Sequence, residues 1–251
     1  MSEAAAPVDV LVVGGGINGA GIARDAAGRG HSVVLCEQDD LASHTSSAST
    51  KLIHGGLRYL ELGEFGLVRK ALREREVLLG SAPHIMWPLR FVMPHDSHLR
   101  PAWLIRLGLF FYDHLARRRW LEGSSGIDLR SHPAGEPLES RFTRGFVYSD
   151  GWVDDARLVV LNALCAHEHG ARILTRTRCT GLVPEGELWR ATLRERTGRE
   201  HQLRARVVVN ATGPWAASFL GDVGHGRATH GLRLVKGSHI VVPRLFEMLR
   251  T

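Results

Sequence analysis

The chain has 251 residues, 44% of them hydrophobic and 23% charged, which excludes a disordered protein and suffices for a sizeable core in one large or two small domains. A formal net charge of +6 could answer nucleic acid, anionic lipid headgroups or a phosphorylated substrate, but no zinc finger, aromatic RNA-binding motif or basic repeat supports the first. Three cysteines without metal-like spacing, no basic signal region and no run of about 20 apolar residues predict a metal-free, reduced protein kept inside the cell and not spanning a bilayer.

Near the start, Val10-Leu-Val-Val-Gly-Gly-Gly-Ile-Asn-Gly-Ala-Gly21 reads as strand, glycine turn and helix. Gly14 makes the tight turn, Gly16 lets backbone approach a pyrophosphate, and Gly19 lets helix and strand pack closely. With Gly15, Ile17 and Asn18 they form a phosphate cradle, because the helix start offers free N–H groups and the positive end of its dipole. The helix shows a small apolar stripe at Gly19, Ile22, Ala23, Ala26 and Ala27 and ends at Gly28 and Gly30. A second strand, Ser32-Val-Val-Leu-Cys-Glu37, ends on a carboxylate 21 residues after Gly16, close to the spacing of about 20 in dinucleotide-binding βαβ units. Glu37, with Gln38 beside it, would accept ribose hydroxyls and repel a 2′-phosphate, which favours FAD or NAD over NADP.

The hydroxyl-rich segment Ala42–Thr50 leads into Lys51-Leu-Ile-His-Gly-Gly-Leu-Arg-Tyr59 and reads as an active loop beside the cofactor. Leu67, Val68, Ala71, Leu72, Leu78 and Leu79 mark an amphipathic helix stopped by Pro83. Leu89–Met93 is a predicted short strand. Pro101–Leu115 is a predicted helix with proline in its first turn, apolar nearly all round except Arg106 and followed by Arg117-Arg118-Arg119. It reads as a core helix, with an interfacial helix on a membrane surface as the alternative. Residues 120–140 read as loop.

Gly145–Ser149 is a predicted strand and Asp154–His169 a helix closed by Gly170. Strands at Arg172–Arg178, Leu188–Arg196 and Leu203–Asn210 form a predicted meander over the nucleotide domain. The buried strand into Ala211-Thr212-Gly213 ends in a small-residue turn. Arg233–Pro243 reads as two strand halves bent at Gly237.

Taken together, these segments resemble the FAD-dependent, membrane-associated glycerol-3-phosphate dehydrogenases of aerobic bacteria, within the D-amino-acid-oxidase-like flavoprotein superfamily. The match is carried by Gly14–Ala23, Thr45–Leu60, Leu99-Arg-Pro-Ala-Trp103, Tyr148–Leu158, Asn210-Ala-Thr-Gly-Pro-Trp215 and Val235-Lys-Gly-Ser-His-Ile-Val-Val-Pro243. The glycine motif alone is shared by many flavoproteins; the His-Gly-Gly-Leu-Arg and Lys-Gly-Ser-His segments are far more specific.

The resemblance implies an α/β fold: a Rossmann-like FAD-binding domain with a parallel sheet, plus part of a mixed or antiparallel β substrate domain. Residues 1–80 would hold the βαβ unit and flavin loop, and 81–145 part of the substrate region. Residues 146–215 would return to the FAD domain with the meander, and 216–251 would begin the substrate domain. The implied reaction is oxidation of sn-glycerol 3-phosphate to dihydroxyacetone phosphate, with electrons passing to a membrane quinone. A cytoplasmic enzyme, peripheral on the inner face of the cell membrane, attracted to its anionic surface and able to form a homodimer, follows.

Residue by residue, the resemblance makes His239 the base for the C2 hydroxyl or the group that assists it, and Arg58 the phosphate ligand. His54 and Lys236 are weaker candidates. Ser46, Ser47, Ser49, Thr50 and Leu52 would line the pyrophosphate and flavin edge, and Gly55 and Gly56 would let the flavin lie close. Arg178 or Cys179 would give a backbone contact near adenine, and Ala211, Thr212 and Gly213 would approach the dinucleotide. The family's chains are about twice this length, so the resemblance implies an N-terminal portion with exposed sheet edges. An FAD-binding module without turnover and an amine or amino-acid oxidase are the competing readings.

Overall fold

The apolar run before the glycine turn forms β1 (Val8–Val13), and the turn leads into α1 (Ile17–Gly28) and β2 (Val33–Cys36). In chain order there follow β3 (Leu52–Ile53), α2 (Phe65–Ser81), β4 (Met86–His95), α3 (Ala102–His114), β5 (Ser125–Asp128) and β6 (Arg144–Val153). Then come α4 (Asp155–Glu168), β7 (Arg172–Leu174), β8 (Thr177–Glu185), β9 (Leu188–Glu195), β10 (Glu200–Asn210) and α5 (Ala216–Asp222). This computed structural model describes residues 6–224, 226, 233–235, 237–240, 242 and 243. The chain divides into two units, one of Met1–Ser49 with Asp155–His239, the other of Thr50–Asp154 with Ile240–Thr251.

In the first unit one six-stranded sheet has the order β7-β2-β1-β10-β9-β8. The strands β7, β2, β1 and β10 run parallel, and β9 and β8 continue antiparallel. Register places Val13 beside both Cys36 and Asn210, so the carboxyl ends of β1, β2 and β10 finish level. Both faces are covered, which explains why β1 and β2 read as unbroken apolar runs rather than alternating ones. On one face Leu11, Val13, Val34 and Cys36 pack with Cys179, Leu182, Ala191 and Leu193, so the meander does lie over the nucleotide sheet. On the other, Val12, Val33 and Leu35 meet Ala23 and Ala27 of α1 and Ala166 of α4. Each fully buried Val or Leu contributes roughly 1.5–3 kcal/mol.

Three local expectations are corrected. The buried face of α1 is Gly19, Ala20, Ala23 and Ala27, while Ile22 is exposed; close packing on the sheet and on α4 selects the small residues. The predicted strand Arg172–Arg178 is two strands, split where Arg176 turns into positive φ (+53°). Between 233 and 243 the described residues form no strand, and Leu234, Val235 and Ile240 are exposed. Apolar β-formers need a pairing partner, and the described chain supplies none there.

In the second unit β6 pairs with β3, β4 and β5, all antiparallel. The predicted short strand extends to ten residues, from Met86 opposite Val153 to His95 opposite Arg144. Pro88 and Pro94 hid this length, yet β4 is an edge strand, where a missing N–H costs no ladder bond. Helices α2 and α3 join around Val68, Leu72 and Tyr112, with Leu57, Leu60 and Tyr148 against them. These contacts and the β3–β6 pairing join residues 50–80, 81–145 and 146–154 within this unit. Helix α3 is not a core helix. It buries Leu109, Tyr112 and Asp113 but exposes Trp103, Leu107, Phe110 and Phe111. Pro101 stands at its N-cap, one position before the first turn.

Candidate functional site

At the carboxyl end of β1 the chain turns sharply through Gly14 at φ +116°. The turn is tied on both sides, by Gly14 N–H to Cys36 O (2.9 Å) and Ala211 N–H to Val13 O (2.8 Å). A Cβ on Gly14 would stand 2.4 Å from Ala211 O, and one on Gly19 would stand 1.8 Å from Gly14 O. Neither position admits a side chain, as the two assigned roles require. Gly16 is the N-cap of α1, with extended backbone. The first bond of the helix runs from Ala20 N–H to Gly16 O, which leaves the earlier N–H groups outside the helical ladder.

One of those donors is already engaged, since Ser46 Oγ accepts Ile17 N–H at 2.9 Å. Ser46 therefore caps the helix as well as bordering the turn. Glu37 accepts Gly15 N–H on Oε2 (2.7 Å) and Asp39 N–H on Oε1 (2.9 Å). A carboxylate offers about four acceptor sites, so each oxygen keeps one for a ribose hydroxyl. Gly15 is confined by the same contact, as its Cβ would lie 2.8 Å from that of Glu37.

These pieces border a cavity of about 360 Å³ within the first unit, at the lower end of small-molecule sites. Of the residues predicted from sequence, Gly14, Gly16, Glu37, Gln38, Ser46, Arg178, Cys179, Ala211, Thr212 and Gly213 line it. Asn210 holds the last three in place: its Oδ1 accepts the Thr212 hydroxyl (2.7 Å) and its Nδ2 donates to Ala216 O (2.8 Å). Cys36 and Cys179 form part of the wall, where burial pushes both thiols up, Cys179 to about 11. Both are protonated packing groups at neutral pH.

Sequence reasoning missed one wall of this cavity. His44 stacks edge-on against Trp215 with centroids 4.8 Å apart, and its Nε2 meets Asp39 at 3.1 Å. Phe219 and Val223 come from α5 and the residue after it. Trp215 in the Ala-Thr-Gly-Pro-Trp segment was the available signal.

Other predicted residues lie off the cavity. Gly15 lies in the turn and Ile17, Asn18 and Gly19 in the first turn of α1, none of them lining the cavity. Ser47 donates to His44 O within a 3-10 turn. The hydroxyl of Ser49 donates to Asp155 at 2.7 Å, which ties the loop to the start of α4. Thr50, Leu52, Gly55, Gly56 and Arg58 belong to the second unit. There Leu52 pairs with Trp152, Gly56 turns at φ +72°, and Arg58 is exposed on a 3-10 helix over Leu57–Leu62. His239 is exposed at the end of the first unit, and Lys236 lies outside the described residues.

The family model described as DAO, FAD dependent oxidoreductase, matches residues 9–251. The chain belongs to this FAD dependent oxidoreductase family. NAD, open on the glycine motif alone, is thereby set aside in favour of FAD. The chain is similar to glycerol-3-phosphate dehydrogenase of Pseudomonas tolaasii, at 60% identity over 239 residues, 95% of this chain and 46% of that one. It is similar to D-erythritol 1-phosphate dehydrogenase of Brucella abortus, at 57% identity over 240 residues, 95% of this chain and 48% of that one. The chain spans about half the length of the curated relatives it matches. Among solved structures, glycerol-3-phosphate dehydrogenase from Bacillus halodurans complexed with FAD aligns at 28% identity with a TM-score of 0.65, covering 87% of this chain and 37% of that chain.

The residues present fit that cofactor. The crowding around Gly14 and Gly19 makes a cradle only bare backbone can form, and Glu37 retains an acceptor site on each carboxylate oxygen at the cavity wall.

Proposed function

We propose that this chain supplies the FAD-binding portion of an enzyme that oxidises sn-glycerol 3-phosphate to dihydroxyacetone phosphate and passes the electrons to a membrane quinone. The observation that carries the nucleotide part is the cavity joining the Gly14–Gly16 turn, the Glu37 carboxylate and the Ala211–Gly213 turn. Its size suits the adenosine half of FAD, with the pyrophosphate at the start of α1. When bound, FAD supplies the hydride acceptor.

The remaining roles fall to this chain's own residues. Arg58, exposed and always charged, takes the substrate phosphate by a forked, charge-assisted contact. His239 takes the proton of the C2 hydroxyl as hydride leaves C2, a general-base task to which an imidazole nitrogen is suited. Thr50, Leu52, Gly55 and Gly56 border the flavin. The two similar proteins named above act, by their names, on a glycerol phosphate and an erythritol phosphate; the shared chemistry is a polyol bearing one phosphate, which matches one arginine fork and one base.

Membrane association is part of the same proposal. No helix among the described residues is long and apolar enough to cross a membrane. Support for surface contact comes from α3, whose exposed Trp103, Leu107, Phe110 and Phe111 are followed by Arg117-Arg118-Arg119, an apolar face beside cations. The resemblance extends this reading to a homodimer on the inner face of the cell membrane. The substrate assignment is tested by steady-state turnover of the full-length enzyme on both phosphates with a quinone analogue. A higher kcat/KM for glycerol 3-phosphate is expected, and a preference for erythritol 1-phosphate would reassign the substrate.

A further inference from the structure

We propose that Tyr112, Asp150 and Arg75 form a buried positioning device that fixes the backbone of Gly55 and, through it, the presentation of Arg58; this rests on the reading of Arg58 as the phosphate ligand. Three elements of the second unit converge on one backbone N–H. The Tyr112 hydroxyl, on α3, accepts Gly55 N–H at 2.7 Å and donates to Asp150 Oδ1, on β6, at 2.7 Å. Arg75 Nη1, on α2, donates to the same Oδ1 at 2.5 Å and to Ser149 O at 3.2 Å. Arg75, Tyr112 and Asp150 are 2%, 2% and 4% exposed.

The direction of this chain of bonds is set by charge. An ionised carboxylate only accepts, so Asp150 draws the single proton of Tyr112 and turns a hydroxyl lone pair toward Gly55. Arg75 supplies the charge that keeps Asp150 in that role, although burial pushes the Asp150 carboxyl above its usual range. A buried ion pair is poor support for stability, since apolar side chains of equal volume hold helices together as well. What apolar side chains cannot do is accept the N–H of Gly55.

From Gly55 the constraint passes straight to Arg58. Gly55 is pressed against its partners: a Cβ there would lie 2.3 Å from Leu72 Cδ2 and 2.8 Å from Tyr112 Cε2. Gly56 donates to His54 Nδ1 at 2.9 Å, and its carbonyl accepts Tyr59 N–H at 2.8 Å, which opens the 3-10 helix carrying Arg58. Tyr112 thus acts on Arg58 through backbone, without touching substrate.

The experiment uses the full-length FAD-loaded enzyme with Tyr112→Phe, Asp150→Asn and Arg58→Ala. Tyr112→Phe keeps the ring and removes only the hydroxyl. It should retain FAD and the visible flavin spectrum, raise KM for glycerol 3-phosphate roughly five- to tenfold, and change kcat less than about twofold. Asp150→Asn keeps an acceptor for Tyr112 and should give a smaller rise in KM. An unchanged KM in both variants, with only a lower melting temperature, overturns the proposal, as does loss of folding in both. If Arg58→Ala raises KM and Tyr112→Phe does not, the positioning inference alone has failed. An unchanged KM in Arg58→Ala means that the reading of Arg58 has failed.

Discussion

The carboxylate of Glu37 holds Gly15 N–H at 2.7 Å, so the residue proposed to meet a ribose also braces the glycine turn. Two tasks on one side chain make it sensitive to a minimal change. Glu37→Gln exchanges one acceptor oxygen for a donor that opposes Gly15 or Asp39 N–H. The Kd for FAD should rise at least about tenfold, equivalent to about 1.4 kcal/mol, in a titration of the full-length apoprotein. Unaltered affinity would remove Glu37 from the nucleotide site.

Two glycines of α1 should respond in opposite directions. At Gly19 a methyl group would meet Gly14 O at 1.8 Å, whereas at Gly21 nothing lies within 4 Å. Gly19→Ala should cost on the order of 3 kcal/mol or more and abolish FAD retention. Gly21→Ala should stabilise by roughly 0.5–1 kcal/mol, because an open helical position gains from alanine. Thermal melts of the two variants check both signs.

Thiol chemistry should separate the three cysteines. Cys36 and Cys179 are buried and their thiols raised, the latter to about 11, while Cys165 is partly exposed. A thiol reagent at pH 8 should modify Cys165 first and the other two only on unfolding. Because the folded pKa of Cys179 exceeds its ordinary value of 9.0, its contribution to stability is complete below pH 9 and is lost as pH rises from 9 toward 11. Melting temperatures of the wild type and Cys179→Ala across that window provide the check: the wild-type curve should fall more steeply.

The exposed face of α3 makes a prediction about membranes. Replacing Phe110 and Phe111 together by serine should weaken binding to anionic vesicles at least about tenfold, given roughly 1.5–3 kcal/mol for each buried aromatic, and leave FAD content unchanged. Sedimentation with vesicles measures it, and equal binding would remove α3 from the membrane contact.

The sequence made the nucleotide unit legible because its constraints are local: Gly14, Gly19 and Glu37 sit at spacings dictated by one turn and two strands. Of the meander, β9 and β10 were legible at Leu188–Arg196 and Leu203–Asn210, whereas β8 (Thr177–Glu185) was read as part of the strand before it. Elements that depend on partners far along the chain were not. The length of β4 was masked by Pro88 and Pro94, harmless on an edge, and Pro101–Leu115 looked like a core helix because composition does not say which side is covered. Ser49 illustrates the same limit at the site. Its hydroxyl donates to Asp155, 106 residues away, a partner that local sequence does not reveal. The Tyr112–Asp150–Arg75 cluster likewise joins three distant segments, and no spacing announces it.

The most direct test of the central claim is anaerobic addition of sn-glycerol 3-phosphate to the full-length FAD-loaded enzyme, with the visible flavin absorbance followed in time. Bleaching by glycerol 3-phosphate, restored by a quinone analogue and requiring far more substrate in Arg58→Ala, is the predicted result. Bound flavin that stays oxidised with glycerol 3-phosphate, or that bleaches only with an amine or amino acid, would contradict it.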